Sequence, residues 1–192
     1  MSIKSINDNP VYKQNYINRI KGIEQEYQKT HFDSLIPMFE RELRDLGFEF
    51  EISSQTLSTM PKYKNVVQDI VVKYYMLAKE QGKTNEQNHF LTFFHFRGFD
   101  EVVPMLLEDY CSNKTEDLTR WLISDCLYQI GSSDYIDDYI KIISDSHYGI
   151  NRQMIILLVG KLKAEKAVPI LKELMKDDSV KLQATRAFSN YN

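Results

Sequence analysis

Shifted by 32 residues, part of this chain falls onto itself. Arg120 lands on Arg152, Ile123 on Ile155, Leu127 on Val159 and Ile130 on Leu162. Ile136, Tyr139, Ile142 and Ile143 land on Val168, Leu171, Leu174 and Met175, and Asp145 lands on Asp177. A fixed period of this length marks stacked supersecondary units, none of which buries its apolar face alone. Within one unit, Ile155, Leu158, Val159 and Leu162 keep helical spacing, and Val168, Leu171, Leu174 and Met175 keep it again. Each unit is therefore two helices joined by a short turn. Val103-Pro104 matches Val168-Pro169, and Ile36-Pro37-Met38 echoes Val103-Pro104-Met105. Proline is tolerated in a first helical turn, where its missing N–H has no partner anyway. Pro37, Pro104 and Pro169 each mark the opening turn of a second helix.

The run from Gly149 to Tyr191 has a helix, a tight turn, an antiparallel helix and the start of a further helix. A basic residue, Arg152, stands early in the first helix, and an acidic one, Asp177, closes the second. This pattern resembles the HEAT-like repeats of the PBS-lyase type. The resemblance implies an all-α fold, an α/α superhelix (a HEAT-like solenoid) of antiparallel helix pairs, right-handed, whose second helices line a concave face where partners dock. It covers residues 116–192 clearly, with divergent helical units over 61–115 and an irregular helical part over 1–60, all within one domain. One departure is that Asp177 to Lys181 is shorter than Asp145 to Arg152. The last helix is a candidate cap.

Before the repeats, Asn9-Pro10 opens a helix carrying Tyr12, Tyr16, Ile17, Ile20, Ile23 and Tyr27. A second helix carries Phe32, Leu35, Ile36, Phe39, Leu43 and Leu46, and Gly47 ends it. Phe48 to Ile52 alternates, but a lone short strand has no partner, so it reads as an extended connection, followed by a connector over 53–60. Pro61 opens a long helix carrying Val66, Val67, Ile70, Val71, Tyr74, Tyr75 and Ala78, and Gly82 ends it. Thr84 and Gln87 form a capping-box pattern before a helix ending at Gly98.

Chemistry is sparse. The aromatic run from His89 to Phe99 offers a pocket or stacking platform on one reading and a core helix on the other; its helical spacing favours the core. His89 and His95 are six apart and face different sides of a helix, and His31 and His147 lack ligand-spaced neighbours, so no metal site is expected. The Asp134, Asp137, Asp138 cluster lacks a calcium-loop pattern. No phosphate loop, nucleophile elbow or zinc-protease motif is present, so the chain is read as not an enzyme, without cofactor. No apolar run reaches the ~18 residues of a membrane span, and no apolar leader segment stands at the N-terminus. Cys111 and Cys126 fit a reducing cytosol, and abundant Ile, Lys, Asn and Tyr fit an AT-rich bacterial source.

Charge is uneven. From Cys111 to Tyr148 three Lys/Arg face seven Asp/Glu, whereas from Gly149 onward eight face four. The expected function is a cytoplasmic, non-catalytic protein-binding scaffold. Asp137, Asp138, Lys141, Lys172 and Lys176 avoid the apolar stripes of second helices and are the protein-contact candidates. Trp121 is a weaker one, expected to pack between units. A bacterial immunity-type inhibitor of a toxin is the alternative, with the acidic middle covering a basic site. A HEAT-like DNA glycosylase is the third reading; it needs a broad basic groove, and a pI near 5.8 argues against nucleic acid.

Overall fold

The computed structural model describes residue 18 and residues 33–46, 64–95 and 99–191. The expected N-terminal helix (apart from Asn18, which is helical), Phe32, Gly47, the extended connection, the connector, Pro61 and Phe96 to Gly98 lie outside them. The chain divides into two compact units, 1–87 and 88–192. The described residues form nine α-helices and short 3-10 turns, with no strand among them, so the described part of the chain is all-α.

In the first unit, α1 (Ile36–Asp45) packs on α2 (Lys64–Glu80). Pro37 sits in the first turn of α1, as its missing N–H requires. Phe39 and Leu43 meet a buried face of Val67, Ile70, Val71, Tyr74 and Tyr75. The Phe39 and Tyr74 rings touch edge-on at 5.6 Å. The Glu42 carboxylate accepts from Lys73 Nζ at 2.6 Å and from the Tyr74 hydroxyl at 3.0 Å. Leu46, expected inside, is 41% exposed, and Val66 is 45% exposed. Gly82 follows α2 with a φ of +67°, a conformation that favours glycine. The next helix, α3 (Thr84–Leu91), has its first ladder bond from Gln87 N–H to the Lys83 carbonyl, so Lys83 holds the cap position and Thr84 is already helical.

The second unit holds α4 (Val103–Cys111), α5 (Asp117–Ile130), α6 (Ile136–Ser144), α7 (Gln153–Lys161), α8 (Val168–Leu174) and α9 (Lys181–Ser189). Here the period is visible atom by atom. Pro104 and Pro169 occupy the first turns of α4 and α8, each after one 3-10 turn. Ser112, Asp145 and Asp177 end the three second helices alike. Each donates its N–H to the carbonyl three residues back, at 3.2, 3.2 and 3.1 Å. Each side-chain oxygen then accepts the N–H two residues ahead, from Lys114, His147 and Ser179 at 3.2, 2.9 and 3.0 Å. Short polar side chains suit this role because they replace the next backbone turn.

The two aligned arginines do matching work. Arg120 Nε donates to the Tyr110 carbonyl at 3.0 Å and Nη2 to Ser112 at 2.9 Å. Arg152 Nη1 donates to the Ile143 carbonyl at 3.0 Å and Nε to Gly149 at 3.0 Å. Each arginine thereby ties off one C-terminal carbonyl of the preceding second helix, Tyr110 or Ile143, which has no intrahelical donor, and one carbonyl of the chain that follows it, Ser112 or Gly149. Their acidic partners differ: Arg120 reaches Asp117 on its own helix at 3.1 Å, and Arg152 reaches forward to Asp177 at 2.7 Å.

Helix α7 is central, touching α5, α6 and α9. It packs against α9 at Gly160, where an added Cβ would lie 2.5 Å from Ala187 Cα. The first helices α5, α7 and α9 thus contact in turn, α7 and α9 through small residues, Gly160 and Ala187. Gly131 ends α5 at a φ of +72°. Phe90, Phe94 and Phe99 are buried in this unit, and α-helix gives way to a 3-10 turn over Thr92–Phe94, so the described part of the aromatic run is core. Cys126 is buried beside it, its thiol donating to the Leu91 carbonyl at 3.2 Å. Trp121 is 40% exposed on α5.

Candidate functional site

The second helices α4 and α6 are parted by a cleft of about 430 Å³. Its floor and walls come from Pro104, Leu107, Glu108 and Cys111 on α4, Asp138, Lys141 and Ile142 on α6, and Tyr135, Asp145 and Tyr148 in the flanking turns. The repeat positions these residues. Glu108 and Lys141 lie 33 residues apart, the same offset as Ser112 to Asp145, so adjacent second helices present opposite charges at one register. Asp145 is held in place by the turn it forms with His147 N–H.

The lining carries three carboxylates, Glu108, Asp138 and Asp145, against one ammonium, Lys141. Lys141 Nζ lies 2.9 Å from Asp138, with both side chains substantially exposed. Asp138 holds the Lys141 ammonium above its ordinary pKa. Behind the Tyr148 wall, Tyr110 is fully buried with its ring centroid 5.1 Å away. The Arg120 guanidinium stands 5.7 Å from the Tyr148 ring centroid. Burial, and then a hydrogen bond to Cys111, push the Tyr148 phenol up to about 12, so it is a neutral donor at ordinary pH. Cys111 is a free, exposed thiol. The cleft offers acceptors and rings to a cation; its lining holds no histidine to serve as a base.

Of the five expected contact residues, the cleft brings together Asp138 and Lys141. Asp137 turns instead to Lys166, 3.0 Å away in the 3-10 turn between α7 and α8. Lys172 and Lys176 stand on or just past α8, Lys172 over the Phe188 ring at 5.6 Å and Lys176 paired with Glu173 at 2.9 Å. The acidic patch foreseen at Asp137 and Asp138 is therefore partly neutralised by neighbouring lysines. Sequence reasoning missed Glu108, Asp145, Tyr135 and Tyr148 as a group. The available signal was the 33-residue offset from Glu108 to Lys141, which puts two adjacent second helices side by side.

Elsewhere, His95 Nε2 lies 3.4 Å from Asp125, and burial lowers the His95 pKa against a smaller opposing pull from Asp125. Among the described residues no group of three His, Cys, Asp or Glu converges on a metal position, and no helix is long and apolar enough to cross a membrane. No family model, no curated protein and no solved structure matches this chain, so the functional reading rests on its own geometry.

Proposed function

We propose that this chain is a cytoplasmic, non-catalytic protein-binding scaffold of HEAT-like helix pairs, superhelical in arrangement, which docks a partner on its second-helix face. The observation that carries the reading is the cleft between α4 and α6. The first helices pack closely through Gly160 and Ala187, whereas the second-helix layer stays open enough to admit part of another molecule. The matching helix ends at Ser112, Asp145 and Asp177 support the repeat reading. The carboxylate-rich lining favours a second reading in the same class, an immunity-type inhibitor whose partner is a basic toxin surface. A DNA glycosylase-like role would need a basic groove, and this cleft has the wrong sign.

The test is capture of tagged protein with and without Asp137→Lys plus Asp138→Lys. These side chains are substantially exposed and paired with exposed lysines, and such surface pairs contribute little to stability, so the melting temperature should hold. The captured partner should fall about tenfold or more, the effect of like charges facing across an interface. Undiminished capture would remove α6 from the docking face.

A further inference from the structure

We infer that the α4–α6 cleft is a receptor for one basic side chain, arginine or lysine, carried by the partner protein. This rests on the docking reading above. Volume sets the class of occupant: about 430 Å³ lies within the ~300–1,000 Å³ of small-ligand sites, ample for a single long side chain. Charge sets its sign. Glu108, Asp138 and Asp145 outnumber Lys141, so an anion entering the cleft meets a net negative lining. Among the described residues Glu108 forms no ion pair, leaving a carboxylate for a newcomer.

The walls fit the rest of such a side chain. Leu107 and Ile142 offer apolar surface for a methylene stem, which basic residues bury while keeping the charged head near acceptors. Tyr135 and Tyr148 add phenol rings, favourable neighbours of a guanidinium or ammonium. Lys141 already shows the chemistry, since its own ammonium occupies the Asp138 carboxylate from the rim. It is 76% exposed, so a better-placed cation can displace it at little cost. Glu108, Cys111, Lys141 and Asp145 are exposed, which makes the cleft an open trough suited to a side chain presented by a larger body.

The experiment follows backbone amide signals of the full chain while a capped Gly-Ser-Arg-Ser-Gly peptide is added, with its glutamine counterpart as control. The arginine peptide should shift signals in 104–111 and 135–148, and the glutamine peptide should not. Glu108→Gln with Asp138→Asn should weaken the arginine response about fivefold, the equivalent of one or two exposed ion pairs. Lys141→Gln should strengthen it about threefold by removing the internal competitor. Equal responses to both peptides, shifts confined to other segments, or weaker binding in Lys141→Gln would each overturn the inference. If the arginine peptide fails while captured partner is still lost in the Asp137→Lys, Asp138→Lys protein, the scaffold stands and this inference falls. If the peptide binds but no protein is captured, the cleft is a small-cation site and the protein source is overturned.

Discussion

Gly160→Val is expected to cost the second unit more than about 3 kcal/mol, enough to unfold a marginal domain. Glycine is here because α7 and α9 touch backbone to backbone. A Cβ at 160 would stand 2.5 Å from Ala187 Cα, 2.6 Å from its Cβ and 2.8 Å from its carbonyl oxygen. Overpacking usually costs about 1–3 kcal/mol when flexible side chains can yield. At this contact the obstacle is main chain, so the helices must separate, and valine adds two further carbons. Gly160→Ala gives the sharper comparison. In an open helix it would gain about 1 kcal/mol from propensity alone. Here it should lower the urea midpoint instead, and the sign of that change separates close approach from ordinary helix preference.

Arg152→Met is expected to cost about 3 kcal/mol. Methionine replaces most of the volume and none of the donors. The Ile143 and Gly149 carbonyls lose the guanidinium that ties them off, and an unsatisfied buried acceptor costs roughly 1–3 kcal/mol. Arg152 is only 2% exposed, so water does not readily take its place. The pair also carries a pH dependence. Asp177 sits below its ordinary 3.8, first through its hydrogen bond from Ser179 and then through Arg152. A depressed carboxylate stabilises above its unfolded pKa and loses that contribution as pH falls through the folded value. The Arg152→Met protein lacks the arginine share. Its stability gap from the parent should therefore be widest at neutral pH and narrow below about pH 3.8. A gap independent of pH would assign the whole effect to the carbonyls.

The residues legible beforehand were those whose role is local. Pro104 and Pro169 declare a first turn through their own missing N–H. Arg120 with Arg152, and Asp145 with Asp177, were visible as periodic pairs, although their geometry was not: arginine ties off a carbonyl of the previous helix, which no spacing rule states. The aromatic run resolved as packing because Phe90 and Phe94 fall on a buried face. Gly160 was passed over. A glycine inside an apolar helical run costs helix propensity and so hints at a packing reason, but the partner at Ala187 emerges only when α9 folds back. The cleft was illegible as a unit. Pro104 and Tyr148 are far apart in the chain, and only the stacking of α4 beside α6 makes them opposite walls.

The docking claim is tested most directly by hydrogen–deuterium exchange on the chain with and without its captured partner. The account predicts slowed exchange concentrated in α4 and α6 and in the turns at 112–115 and 145–148, with α5, α7 and α9 unchanged. Protection confined to the first helices, with α4 and α6 exchanging as in the free chain, would contradict it.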